Sequence, residues 1–227
     1  MVSSPPGPKS ASWINSFRLF DGETQKRFME SDNELLAAYT FPYASIEDLR
    51  IACDFSNVLF VIDEVTDIQS GEDAIRTGNV VLSAMKNEKC DVTPVVQLVK
   101  EYVVLLTSES VVIINMRNPR FRASINSHVY PNSTKRFLSV FSSYLNAVAQ
   151  EAEGREQNIV LDIDAFIVAR RENSAIRTFF SVCEIANNID LPDVVFEHPV
   201  FLNCYWAAAD MVCHANVSIR SHLRLDN

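Results

Sequence analysis

Residues 55–71 read FSNVLFVIDEVTDIQSG, and the fold turns on how this stretch is taken. A long apolar run leads directly into three carboxylates within five residues, Asp63, Glu64 and Asp67. On a helix, Asp63 and Asp67 are four apart and project the same way. Phe60, Asp63, Glu64 and Asp67 follow the i, i+3, i+4, i+7 pattern, so one stripe carries an aromatic ring and then acids. Phe55, Val58, Ile62 and Val65 form a neighbouring stripe suited to a core. Carboxylates crowded beside an apolar wall raise one another's pKa unless a cation lies between them. Hard oxygen donors at this spacing suit Mg²⁺, which takes one or two carboxylates and completes its shell with water and substrate phosphate. The competing reading is an acidic helix end that faces water.

Composition narrows the setting. Apolar residues make up 48% of 227 and only five are glycine, which favours a helical protein with a substantial core. The length permits one large domain or two small ones. A net charge of -9 argues against nucleic acid as a partner and fits recruitment of Mg²⁺ to hold an anionic substrate. Cys53, Cys90, Cys183, Cys204 and Cys213 are odd in number and form no CxxC pair. With His128, His198, His214 and His222 they show no zinc spacing. Buried, reduced thiols of a cytoplasmic protein are therefore expected. The start, MVSSPPGPKS, has no apolar core segment, so no signal peptide is expected. No stretch reads as a membrane span, so no stable membrane insertion is expected. Asn132-Ser133-Thr134 matches a glycosylation sequon, which without secretion carries no meaning. Oligomeric state is not encoded in any of these patterns.

Along the chain, residues 1–10 read as a disordered arm, and successive helices follow from Trp13. Asp21 is a candidate cap for one helix, and Ser31 or Asp32 starts another. Ser45 and Asp48 form a capping box for IEDLRIACDFSNVLFVIDEVTD, which Gly71 ends. Pro94 suits the first turn of VTPVVQLVKEY. Residues 103–116, VVLLTSESVVIINM, are rich in β-branched residues and read as strand. Helical patterning resumes at Thr134 and runs through DIDAFIVARREN, AIRTFFSVCEIANNID and HPVFLNCYWAAADMVCHAN. In the last of these, Phe201, Tyr205, Ala208, Val212 and Asn216 share one stripe.

Arg170-Arg171 closes DIDAFIVARREN, where a planar guanidinium can grip a phosphate. Paired arginines are also commonly just solvated. Arg170 precedes Asn216 by 46 residues (216 − 170). With these positions the chain resembles a class I terpene synthase, most closely the basidiomycete-type fungal sesquiterpene synthases. The resembling residues are ACDFSNVLFVIDEVTD, FIVARRENSAIRTFFSVCEIANNIDLPDVVFEHPVF and YWAAADMVCHAN. The resemblance covers most of residues 11–101 and 133–216.

The resemblance implies an all-α helical barrel around an apolar pocket, with Mg²⁺ bridging two helices and the diphosphate of farnesyl diphosphate. It makes Asp63 the main metal ligand, with Glu64 and Asp67 in support, and Arg170 the diphosphate-sensing arginine. Asn216 falls where the second metal motif, Asn-Asp-x-x-Ser-x-x-x-Glu, begins. Metals and arginine stabilise the leaving diphosphate. Aromatic faces stabilise the carbocation in a dry cavity. Phe60, Phe180, Phe201, Tyr205 and Trp206 are candidate liners, and each also reads as an ordinary core aromatic.

The chain departs from the family in three places. Val217, Arg220 and Arg224 occupy the positions of the second motif's aspartate, serine and glutamate. Residues 103–128 interrupt a region that the family fills with a helix and a short loop, and the start is short. Both foreign stretches open on valine, and GT begins a valine codon as well as an intron. Intron read-through at 103–128 and 217–227 is the expectation, with a divergent loop and tail as the alternative. The expected organisation is a disordered arm (1–10), a partial α-helical terpene synthase domain incomplete at its C-terminus (11–216) and an atypical tail. The expected function is Mg²⁺-dependent cyclisation of farnesyl diphosphate to a sesquiterpene. The alternative is a catalytically inactive truncated homologue or a non-catalytic helical interaction protein. A chain-elongating prenyltransferase fits less well, because no second Asp-rich motif appears.

Overall fold

The computed structural model describes residues 6–107, 131–187 and 189–225. Those residues form helices and no strand: α1 Pro6–Ser16, α2 Gly22–Glu30, α3 Asn33–Thr40, α4 Ile46–Asp67, α5 Gly71–Met85, α6 Pro94–Thr107, α7 Pro131–Glu156, α8 Ile163–Asn173, α9 Ile176–Ala186, α10 Asp193–Glu197 and α11 Pro199–Leu225. The all-α expectation holds throughout them.

Local chemistry sets the helix starts. Ser45 Oγ accepts from Asp48 N at 3.1 Å and donates to Asp48 Oδ2 at 2.8 Å, so the expected capping box opens α4. Ser70 caps α5 in the same way, through Asp73 N. Thr93 caps α6 at Val96 N, with Pro94 as its first residue. Asp162 Oδ1 caps α8 at Ala165 N, 2.8 Å away. Asp21 stands at the start of α2 without making a side-chain cap bond, so its position is as expected and its role is not.

Three expectations are corrected. Residues 6–10 are not an arm: they are the first turns of α1, and Ser10 is buried against α4. Val103–Thr107 is helical, because α6 continues its apolar pattern into the β-branched run. The rest of that expected strand and of the expected insertion lies outside the described residues. On α11, Phe201, Tyr205 and Ala208 of the expected stripe line one cleft, and among the residues whose burial is described Ala209 and Cys213 are buried. The thiols are free as expected, but Cys204 is exposed and only Cys53 and Cys213 are buried.

α4 is the centre of the bundle. Phe55 is fully buried, with ring centroids 5.5 Å from Phe137, 5.9 Å from Phe179 and 6.0 Å from Tyr102. Burying one such ring stabilises by about 1.5–3 kcal/mol. Val58 and Ile62 join this core and Val65 packs at its edge, as their spacing predicts.

Two devices aim the later helices. A Cβ on Gly71 would stand 2.8 Å from Glu153 Cβ, so glycine lets the start of α5 press against α7. Its N–H donates to Glu156 Oε2 at 3.1 Å. At the other end of α7, Arg136 donates to Glu184, Asp193 and the Leu191 carbonyl, and lies 3.9 Å over the Phe196 ring. That knot fixes the approach to α10 and α11. No helix among the described residues is long and apolar enough to cross a membrane.

Candidate active site

The acidic motif forms the last turn of α4. Thr66 is buried there and Asp63 is half-buried, while Glu64 and Asp67 are exposed. Beside this turn lies the Tyr144 phenol of α7, 2% exposed. Burial pushes that phenol well above its ordinary pKa; Asp63, Asp67 and Glu151 add to the push, and Arg170 opposes it. Residues far apart in sequence thus share one electrostatic neighbourhood around a buried hydroxyl.

Direct contacts join its two sides. Arg155 Nη1 lies 3.6 Å from Asp67 Oδ1 and 3.7 Å from Glu151 Oε1. Arg155 Nη2 donates to the carbonyls of Thr66 and Asp67, at 3.0 and 3.2 Å. Those carbonyls end α4, where a cation is favourable against the helix dipole. Glu151 Oε2 accepts from Asn173 Nδ2 at 2.6 Å, and Asn173 Oδ1 accepts from Arg170 Nη1 at 3.0 Å. The path Asp67–Arg155–Glu151–Asn173–Arg170 therefore runs from the acidic motif to the expected diphosphate sensor.

The neighbouring arginines differ sharply. Arg171 binds Asp210 through two bonds, at 2.6 and 2.7 Å, and lies 5.2 Å from the Trp206 ring centroid. This fork ties α8 to α11 and holds the Asp210 carboxyl below its ordinary pKa. Arg177 is held by Glu172, at 2.5 and 2.6 Å, and by the Tyr205 hydroxyl. Among the described residues Arg170 makes no ion pair, and it borders a groove of about 1470 Å³ between α7 and α8. Of these three arginines, Arg170 is the one with no acid partner among the described residues.

Mg²⁺ is tested against these donors. Among the described residues no group of three or more His, Cys, Asp or Glu is disposed to hold a metal ion. Asp63, Glu64 and Asp67 are therefore not a preassembled cage. Mg²⁺ does not need one, because it keeps several waters and shares phosphate oxygens. Two carboxylates four residues apart at an open helix end fit that chemistry. Asn216 lies within α11, and its side chain is outside what the structure describes.

The expected aromatic liners divide. Phe180, Phe201 and Tyr205 meet in an apolar cleft of about 380 Å³ among α9, α10 and α11. Phe60 packs against the main core instead, and Trp206 stacks with Arg171 and Arg177. Sequence reasoning missed Tyr144, Glu151, Arg155 and Asn173. Part of the signal was present: Glu151 and Arg155 are an i, i+4 pair, and Asn173 follows Arg170 by one turn.

A terpene synthase family model, described as family 2, C-terminal metal binding, matches residues 54–216. The bifunctional terpene synthase Agr4 of Cyclocybe aegerita is 40% identical over 92% of this chain and 56% of its own length. A sesquiterpene synthase of Sphaerobolus stellatus is 34% identical over 92% of this chain and 55% of its own. A Coprinopsis cinerea protein named linoleate 10R-lipoxygenase COP4 is 37% identical over 92% and 55%. That name denotes a different chemistry from the other two. The chain spans about half the length of these curated relatives. Among solved structures, germacradien-4-ol synthase from Streptomyces citricolor superposes with a TM-score of 0.75 at 20% identity, covering 96% of this chain and 68% of that one. An α-eudesmol synthase gives 0.71 at 16% identity, over 93% and 66%. Both share the fold.

Proposed function

The chain belongs to the class I terpene synthase family, and from that premise we propose that it serves the Mg²⁺-dependent cyclisation of farnesyl diphosphate to a sesquiterpene. The observation that carries this reading is the bonded path that joins Asp67 of the acidic motif to Arg170 through Arg155, Glu151 and Asn173. Asp63 and Asp67 would hold Mg²⁺, with Glu64 in support. When bound, the ion supplies Lewis-acid stabilisation to the departing diphosphate. Arg170 offers its fork to the diphosphate oxygens, and Asn173 orients it from one side. The allylic C–O bond breaks heterolytically and its electron pair leaves with the diphosphate oxygen. A distal double bond of the same chain then attacks the cation, and loss of a proton gives the hydrocarbon. Tyr144 keeps its proton throughout, so it is a neutral wall and not a base.

The test is a longer version of the chain, extended to carry the complete second metal motif, incubated with farnesyl diphosphate and Mg²⁺ and assayed for cyclic volatiles. Absence of any prenyl product from soluble protein would remove the proposal.

A second reading rests on the residues after Asn216. Val217, Arg220 and Arg224 offer no carboxylate or hydroxyl where the second motif needs them. On that reading this 227-residue chain is a non-catalytic relative. It is then expected to give little or no cyclic product and to show no diphosphate-dependent Mg²⁺ binding by calorimetry. Robust cyclic product from the unchanged chain would overturn this second reading.

A further inference from the structure

Arg155 was not singled out by the sequence, yet it touches the acidic motif more than any other cation described. Its contacts are of two kinds. Those to the Thr66 and Asp67 carbonyls, at 3.0 and 3.2 Å, are hydrogen bonds. Those to the Asp67 and Glu151 carboxylates, at 3.6 and 3.7 Å, are longer than charge-assisted hydrogen bonds, which run about 2.7–2.9 Å. All three of these side chains are more than a third exposed: Arg155 at 39%, Asp67 at 61% and Glu151 at 47%. The guanidinium is thus firmly held by the backbone and loosely held by the acids.

We infer that Arg155 is a placeholder cation: a positioning residue that neutralises Asp67 and Glu151 before a divalent metal arrives and yields Asp67 to it. This rests on the reading of the acidic motif as a Mg²⁺ site. Asp67 and Glu151 both lie within 4 Å of Arg155 Nη1, so without that cation the two carboxylates repel. A firmly bonded ion pair would hold Asp67 against the metal. A pair at 3.6 Å between solvated partners gives way at little cost. The backbone bonds would keep Arg155 in place after the exchange. Its charge therefore sets how much Mg²⁺ the motif needs.

The test uses the protein with Mg²⁺ as the only added ligand, read by calorimetry and thermal melting. Arg155→Gln removes the charge and keeps an amide to donate to a carbonyl. It should tighten Mg²⁺ binding about two- to fivefold, the affinity equivalent of one exposed ion pair. Arg155→Lys keeps the charge and should stay within about twofold of the parent. The metal-free Tm of Arg155→Gln should fall, and saturating Mg²⁺ should restore most of the loss. A purely structural cap would lower the Tm with and without Mg²⁺ alike. Unchanged or weaker Mg²⁺ binding by Arg155→Gln, or no rescue of its Tm, would overturn the inference. Should the parent itself bind no Mg²⁺, the metal reading of the motif fails. The counter-ion role is then decided without metal: Arg155→Gln with Asp67→Asn should melt above Arg155→Gln alone, and a double variant no more stable than the single would refute it.

Discussion

Asp54, in the middle of α4, and Asp67, its last residue, are the same side chain on one helix in opposite circumstances. Asp54 has 4% of its side chain exposed. Arg50 Nε donates to both of its oxygens, at 2.8 and 2.9 Å, and Ser10 Oγ donates at 2.6 Å. Asp67 is 61% exposed and meets one guanidinium at 3.6 Å. The first carboxylate is committed to holding α1 on α4. The second keeps lone pairs turned to solvent and can take a new cation. Burial and bond count separate a committed acid from a loosely paired one where residue type and helix are shared.

The sharpest way to break this contrast is at the acidic end. In the version extended with the second metal motif, Asp63→Asn should lower turnover at least about a hundredfold, the scale of losing one transition-state charge stabiliser. Asp67→Asn should weaken turnover less, because it lies at the motif's edge. Equal, mild losses from both would contradict the assignment.

The next effect belongs to the middle of the helix. Asp54→Ala should cost about 2–3 kcal/mol of stability, somewhat under a wholly buried pair because Arg50 remains partly solvated. Asp67→Ala should change stability by no more than about 0.5 kcal/mol, as for an exposed pair. Urea unfolding of the two variants checks this, and similar losses would erase the distinction.

A smaller effect is expected at the arginines. Arg170→Lys should lower turnover about tenfold or more, because lysine loses the fork. Arg171→Lys should act mainly on stability, by loosening the Asp210 clamp between α8 and α11. Steady-state kinetics beside melting curves separates the two, and a larger turnover loss at Arg171 would move the sensor by one residue.

The smallest effect is a tilt in the pH dependence of stability. Burial raises Asp54 above its ordinary value of 3.8, with Arg50 and Ser10 pulling back. A carboxyl raised on folding binds its proton more readily in the folded state. Its contribution to stability is complete below the unfolded value and is lost as pH rises through the higher folded one. The Arg171 bond lowers Asp210 instead, so its contribution is present above 3.8 and lost as pH falls through the folded value. Asp54→Asn should remove the first slope and Asp210→Asn the second. Melting temperatures scanned on both sides of pH 3.8 would show it, and identical slopes in both variants would contradict the assignment.

The sequence by itself determined the helical class, the capping box at Ser45, the bounds of α4 and the core stripe of Phe55, Val58 and Ile62. These follow from spacing within a few residues, which helix geometry converts directly into faces. Spacing also offered Asp63 and Asp67 as metal donors, and resemblance added Arg170 as their partner. Only the tertiary structure decided which acids and arginines have firm partners. Arg170 and Arg171 are indistinguishable as letters, and Asp210 on another helix separates them. Val103–Thr107 has β-branched side chains, yet it continues a helix whose earlier turns are buried, because packing outweighs a weak local preference. Arg155 reaches the end of α4 because Gly71 lets α5 lie close against α7. Contacts of that kind depend on two segments meeting, and neither segment encodes the meeting by itself.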